Sequence, residues 1–325
     1  MEKLVLSLGI IFLGLVLGYG FQILVHKKIV LPPYDIETIR KALQKIVLLY
    51  ITPVTILASI WILNLDDLKL IALPFIGGSA LILGGVVAYF FARMLRMDRK
   101  QTGTYIVTGS FTNIGLMGGL LCFVFLGEAG YALMAFYKLF VQVIYFGIGF
   151  PIAKSYSLVD NRPDKTLRRM WRVFADPLMF VPIASIFVAF ALNISGIKRP
   201  DVFASINAVL VPMATILMLS SIGMAIRFER IGKYIKEGLL IALIKFVIVP
   251  TVAFTIAYMV GLGRIEGGLP LKVVMILSSM PVAFTAMVPP TLYDLDVDLA
   301  NANWLVTNLL LVLVVPVLHY RITLF

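Results

Sequence analysis

Ten apolar segments, each near the length needed to cross a bilayer, divide this chain of 325 residues. A helix crosses the hydrocarbon core with about 20 residues, and in lipid only helices and closed barrels satisfy their own backbone groups. We therefore expect an all-α integral membrane protein with ten transmembrane helices, numbered here as segments 1 to 10. The segments lie at about 4–25, 43–63, 70–94, 105–126, 130–152, 177–194, 202–226, 238–260, 271–292 and 299–320.

Composition excludes a soluble protein, because 61% of the residues are hydrophobic, against roughly 45–50% in soluble domains. The net charge of +11 does not indicate a nucleic-acid partner, since most basic residues lie in short clusters between the apolar segments. Such clusters orient helices toward the cytoplasm. One cysteine, Cys122, excludes an intrachain disulfide, and two histidines make a haem or zinc site improbable. We expect a lipid bilayer as partner, no nucleic acid and no cofactor.

The distribution of Lys and Arg predicts the topology. The connections 1–2, 3–4, 5–6, 7–8 and 9–10, counted with the adjoining segment ends, carry 19 basic residues, and the opposite side, counted in the same way with both termini, carries 7. Basic residues favour the cytoplasmic side, so both termini are predicted to lie outside a plasma or inner membrane. With five segments in each half, the two halves are inverted repeats. The first repeat is 1–152, a cytoplasmic linker follows at 153–176, and the second repeat is 177–325.

The fourth segment of each half is interrupted. Segment 4 carries four glycines and a carboxamide between Gly109 and Gly119, and segment 9 carries Pro281. Relative to alanine, a glycine in a helix interior costs about 1 kcal/mol and a proline about 3 kcal/mol. Broken segments at matching positions of inverted halves are typical of the midplane binding site of a transporter. The alternative is a small-residue helix-packing face, which Gly115 and Gly119 also satisfy.

If the two breaks cross, they bring together half-helix N-termini, whose free N–H groups and positive dipole ends favour an anion such as a carboxylate. Asn113 can donate through its amide, and nearby hydroxyls can add hydrogen bonds. The alternative is that these side chains only satisfy the backbone of the broken helices. The predicted substrate-binding residues are Asn113, Ser110, Thr112, Gly115, Pro281, Ser279, Thr285 and Asn308.

Lys138 in segment 5 and Lys245 in segment 8 are the charged residues that lie deep in apolar segments. Either can balance the charge of an anionic substrate or replace a coupling cation, and the alternative is that each snorkels toward an interface. Asp and Glu are absent from the interiors of segments 4, 5, 9 and 10. Because cation antiporters keep such acids as ligands, this pattern argues against cation or proton exchange.

Three stretches carry a family resemblance, namely 113–118 (Asn-Ile-Gly-Leu-Met-Gly), 245–250 (Lys-Phe-Val-Ile-Val-Pro), and 280–283 (Met-Pro-Val-Ala) with Tyr293. They resemble the auxin efflux carrier family, which contains plant PIN proteins and prokaryotic malate or malonate carriers. The resemblance covers essentially the whole chain and indicates a compact prokaryotic member, although Ile114 stands where the family usually has Thr. It implies that Asn113 contacts the substrate carboxylate and that Pro281 lies at the second crossover.

The resemblance also implies a fold like that of bile-acid and sodium/proton transporters, with segments 4 and 9 crossing. Scaffold helices at about 4–63 and 177–226 would form a homodimer through segments 2 and 7. Transport helices at about 70–152 and 238–320 would move by an elevator mechanism.

We therefore expect a secondary-type carrier that exports or exchanges a small organic anion by alternating access. The anion is an auxin-like monocarboxylate or a malate- or malonate-like dicarboxylate. The alternatives are a sodium- or proton-coupled symporter of bile-acid type, a channel, and a non-transporting receptor. An enzyme is not expected, because the apolar segments hold no paired acids, no His-based metal site and no Ser/His arrangement.

Overall fold

The computed structural model describes residues 2–63, 67–157, 177–226 and 231–324. Every regular element in these ranges is helical, apart from one isolated β-bridge. Most of the predicted linker, residues 158–176, lies outside the described residues.

Eleven helical stretches, besides short 3₁₀ turns, make up the described part of the chain. They are α1 (Glu2–His26), α2 (Ile36–Ile60), α3 (Leu68–Met94), α4 (Arg99–Ser110), α5 (Ile114–Ser155), α6 (Pro177–Ile194), α7 (Val202–Gly223), α8 (Gly232–Val260), α9 (Leu269–Ser278), α10 (284–292) and α11 (Val297–Leu324).

Among the described residues, seven helices are long and apolar enough to cross a membrane, namely α1, α2, α3, α5, α7, α8 and α11. Helix α6 adds a shorter apolar stretch, Phe180–Ile194. The count is lower than ten for three reasons: the described apolar stretch of segment 6 is short, segment 9 is divided by a break, and the second part of segment 4 continues into segment 5 as α5. The described residues therefore form an all-helical membrane protein.

Helix α5 reverses its direction at Gly127, whose φ is 76° and ψ is −165°. A straight helix of 42 residues would be roughly 63 Å long, about twice the hydrocarbon core. The reversal places Gly119 against Met134, since a Cβ built on Gly119 would lie 3.1 Å from Met134 Cε. Glycine supplies the positive φ that this turn requires.

Three prolines follow wide helical turns. Proline lacks an N–H group, and its ring clashes with the carbonyl four residues earlier, so a turn with i→i+5 hydrogen bonds relieves the conflict. Lys245 lies in one of these π-helical turns. The turns are Val47–Ile51 before Pro53, Tyr145–Gly149 before Pro151 and Ile244–Ile248 before Pro250.

The described residues divide into two compact units. The first contains residues 2–63, 119–135 and 177–226, and its closest helix contact is that of α1 with α7. A Cβ built on Gly18 would lie 2.0 Å from Ser220 O, so only glycine permits this approach. At the end of α2, a side-chain amide of α6 caps the helix: Asn193 Nδ2 donates to the carbonyls of Ile60, Trp61 and Leu63 at 3.0, 2.9 and 2.8 Å.

The second unit contains residues 67–118, 136–157 and 231–324. Here α3 lies against α4, and a Cβ built on Gly84 would be 2.3 Å from Gly109 O. Helix α8 lies against α11 in the same unit. Both interrupted segments meet here, and their meeting point is the candidate site.

Candidate functional site

Segments 4 and 9 are both broken where the sequence predicts it. Between α4 and α5, and between α9 and α10, the chain leaves the helix, and an antiparallel β-bridge joins Thr112 to Val282. This pairing satisfies backbone groups that two interrupted helices would otherwise leave bare in a membrane. The hydrogen bonds beside the bridge run from Asn113 N–H to Pro281 O at 2.9 Å and from Ala283 N–H to Phe111 O at 3.1 Å.

Side chains from other helices satisfy the remaining groups of the bridge. The Tyr145 hydroxyl accepts from Thr112 N–H at 2.8 Å and donates to Thr112 O at 2.9 Å. Its ring stacks on Phe111, with the ring centroids 3.7 Å apart. Thr307 Oγ1 accepts from Val282 N–H at 3.2 Å. Sequence reasoning missed Tyr145, because residue type alone does not distinguish it from Tyr131 and Tyr137, the other tyrosines of segment 5.

Lys245 is 1% exposed, and its ammonium contacts the end of α4. Nζ donates to Ser110 O at 3.2 Å, to Phe111 O at 3.1 Å and to Thr112 Oγ1 at 2.7 Å. An ammonium has three hydrogens, so each one has an acceptor. Two acceptors are carbonyls at the C-terminal end of a helix, where the dipole is negative. Lys245 therefore balances that end of the broken segment.

Hydrogen-bond donors without an acceptor among the described residues lie close together where α5 begins. Asn113 is 7% exposed, and its Oδ1 accepts from Met117 N–H at 3.4 Å, as a helix cap does. Within the described part of the chain, Asn113 Nδ2 has no acceptor, and neither do the N–H groups of Gly115 and Leu116. The same side chain thus satisfies the backbone with its oxygen and keeps its amide hydrogens available.

Lys138 brings a positive charge to this helix start. Its Nζ would lie 3.6 Å from a Cβ built on Gly115. Among the residues that the structure describes, the ammonium has no hydrogen-bond acceptor and no carboxylate partner. Lys138 and Asn113 therefore present donors to the same break.

Three further predicted residues, Ser279 and Thr285 near the second break and Asn308 in α11, differ in their surroundings. Ser279, the residue after α9, donates from its Oγ to Met275 O of that helix at 2.8 Å, so its hydroxyl satisfies the end of α9. Thr285 is exposed in the first turn of α10. Asn308 Nδ2 donates to Trp304 O at 2.7 Å, while its Oδ1 is buried without a hydrogen-bond partner in the described ranges.

The structure thus brings most of the predicted residues to one place. Their roles as ligands stay predictions. Across the described ranges, His, Cys, Asp and Glu form no group of three that could hold a metal ion. The residues around the break are Ser110, Thr112, Asn113, Gly115, Lys138, Lys245, Pro281 and, through a 3.5 Å contact of Nδ2 with Val282 O, Asn308.

Comparison with known proteins agrees with this arrangement. Residues 10–319 match the family described as membrane transport protein. An uncharacterized transporter of Methanocaldococcus jannaschii is 25% identical over 285 residues, which cover 85% of this chain and 87% of that protein. An uncharacterized transporter of Methanothermobacter thermautotrophicus is 24% identical over 275 residues, or 84% and 86% of the two chains. The chain therefore belongs to the membrane transport protein family, the auxin efflux carrier family that its motifs resemble, and is a multi-pass membrane transporter.

Proposed function

We propose that this transporter carries a small organic anion across the cell membrane and binds the anion's carboxylate where α5 begins. The observation that supports this most directly is the set of unpartnered donors there, namely Asn113 Nδ2 and the N–H groups of Gly115 and Leu116. Free N–H groups at a helix start form a favourable environment for a carboxylate. The anion's carboxylate accepts from these donors, which have no acceptor of their own among the described residues.

Transport proceeds by alternating access in a fold of two inverted five-helix repeats, with both termini outside. Family membership and the breaks in segments 4 and 9 support this architecture. The scaffold consists of segments 1, 2, 6 and 7, and it forms a homodimer through segments 2 and 7. The remaining segments move as an elevator and carry the bound anion.

Lys245 supports transport without a coupling sodium ion at this break. In transporters with broken helices, carbonyls at the half-helix C-termini coordinate a coupling cation. Here the ammonium of Lys245 donates hydrogen bonds to two such carbonyls, those of Ser110 and Phe111. The side chain supplies the positive charge that a bound sodium ion would supply. This arrangement argues against the alternative function, a sodium-coupled symporter of bile-acid type.

Flux into liposomes distinguishes these functions. Purified protein is reconstituted, and uptake of radiolabelled indole-3-acetate and malonate is measured with sodium or choline outside. A carrier of the proposed kind gives saturable uptake of at least one probe, stimulated by unlabelled probe inside and equal in sodium and choline. Uptake that requires sodium would favour the symporter. Flux that shows neither saturation nor counterflow would favour a channel, and the absence of any flux would favour a receptor.

A further inference from the structure

The two lysines that lie deep in apolar segments have opposite surroundings. Lys245 donates all three ammonium hydrogens to the end of α4, so none is left for a ligand. Lys138 has no acceptor for its ammonium among the residues that the structure describes. A charge inside the membrane is costly without a partner, and such residues mark substrate or ion pathways. Lys138 thus needs a partner that the described chain does not supply.

Snorkelling does not explain the position of Lys138. A snorkelling lysine directs its ammonium toward the headgroups. The Lys138 ammonium is directed instead at Gly115, within the break of segment 4, where an added Cβ would lie 3.6 Å from Nζ. An added Cβ would be in ordinary van der Waals contact with Nζ, so the ammonium lies beside the Gly115 backbone and the two can contact the same ligand.

We infer that Lys138 is the counter-charge of the substrate and that the site selects a monocarboxylate. This inference rests on the proposed function, because it names the substrate class of the same site. One carboxylate oxygen accepts from the Lys138 ammonium. The second oxygen accepts from Asn113 Nδ2 and the free N–H groups at the start of α5, so both oxygens have donors.

The selection against dicarboxylates follows from the number of available charges. Of the two deep lysines, only Lys138 keeps a free ammonium, and Lys245 is already engaged by Ser110, Phe111 and Thr112. The second carboxylate of malonate would enter the site with neither deep lysine left to pair with it. A charge buried without a partner is strongly disfavoured.

The test measures equilibrium binding to the purified full-length protein. The probes are indole-3-acetate and phenylacetate as monocarboxylates, malonate as dicarboxylate and indole-3-acetamide as the neutral analogue. We expect the parent to bind at least one monocarboxylate about tenfold or more tightly than malonate or the amide. Lys138→Gln should weaken that monocarboxylate at least about tenfold, whereas Lys138→Arg, which keeps the charge, should retain most of the affinity.

Lys272→Gln is the matched control. It also removes one lysine charge, but from a position in α9 that lies roughly 9 Å of helix rise before Ser278, the residue at which α9 ends near the break. It should bind like the parent. Thermal unfolding without ligand gives a second readout. Removing an unpaired charge should leave Lys138→Gln with a melting temperature equal to or above that of the parent, whereas a lysine with a structural role would give a lower one.

The outcomes separate the inference from the proposed function. Binding of a monocarboxylate by the parent with equal affinity in Lys138→Gln would overturn the role of Lys138 and leave the anion site standing. Tighter binding of malonate than of either monocarboxylate would overturn the substrate class. If the parent binds none of the three carboxylates, the proposed function fails, and the inference fails with it.

Discussion

The ammonium of Lys245 lies 2.7 Å from the hydroxyl of Thr112 and joins the π-helical turn of α8 to the break after α4. The same ammonium also binds the carbonyls of Ser110 and Phe111. One side chain thus supplies a fixed positive charge to the C-terminal end of a broken helix, where the dipole is negative.

Replacing Lys245 by alanine should therefore create a cation requirement. Lys245→Ala removes three charge-assisted hydrogen bonds, so we expect the free energy of unfolding to fall by about 2 kcal/mol. The vacated oxygens, two carbonyls and a hydroxyl, are ligands that suit a hard cation. Melting curves in sodium and in choline should show that sodium restores part of the lost stability in Lys245→Ala and does not shift the parent. If sodium raises the melting temperature of the parent, or of neither protein, the result would contradict the role of Lys245 as the cation at this break.

Glu128 and Arg199 form a partly buried ion pair in the first unit. Arg199 binds both carboxylate oxygens of Glu128 at 2.9 Å, and Asn207 Nδ2 donates to Glu128 Oε1 at 2.6 Å. The side chains of Glu128 and Arg199 are 18% and 9% exposed. Arg199→Met would leave the carboxylate without its cation, so we expect a loss of about 3 kcal/mol in an SDS unfolding titration.

The double variant Glu128→Gln with Arg199→Met should recover part of that loss, because no unpaired charge remains. Lys41→Met, which removes a lysine that is 66% exposed in its pair with Glu37, is the control and should change stability by less than about 1 kcal/mol. Equal losses in Lys41→Met and Arg199→Met would show that burial adds nothing to the Glu128 contact.

Tyr145→Phe tests the support of the bridge. The change keeps the ring that stacks on Phe111 and removes the hydroxyl that binds both backbone groups of Thr112. The Thr112 N–H then lacks a partner, whereas Thr112 O still accepts from the Ile114 N–H at 2.8 Å. We therefore expect the free energy of unfolding to fall by about 1–3 kcal/mol. Tyr50→Phe, at a side chain that is 69% exposed, is the control. A loss no larger than that of the control would show that the hydroxyl is dispensable.

The breaks were predictable from the sequence, and their partners were not. Glycines in segment 4 and Pro281 in segment 9 oppose a helix locally, so residue type alone locates the interruptions. That Tyr145 and Thr307 satisfy the bridge depends on contacts between residues far apart in sequence. Residue type leaves such contacts open, because any helix in the bundle can supply a hydroxyl.

The two lysines show the same limit. Depth in an apolar segment marks both Lys138 and Lys245 as costly charges. Their difference comes from the helix that each one faces, since Lys245 meets the carbonyl end of α4 and Lys138 meets the amide end of α5. The sign of the local dipole, which only the structure supplies, separates a lysine that is satisfied by the chain from one that is available to a ligand.

The central claim is that Asn113 donates to a carboxylate, and Asn113→Asp tests it with little change in shape. Aspartate keeps an oxygen for the Met117 N–H and therefore keeps the helix cap, but it cannot donate and it repels an anion. The measurement is the melting temperature of the parent and of Asn113→Asp with increasing indole-3-acetate, phenylacetate or malonate. A bound carboxylate should raise the melting temperature of the parent by several degrees near saturation, because ligand binding stabilises the folded state. We predict that at least one of these carboxylates stabilises the parent and that none stabilises Asn113→Asp; an equal shift in both proteins, or no shift in the parent, would contradict the account.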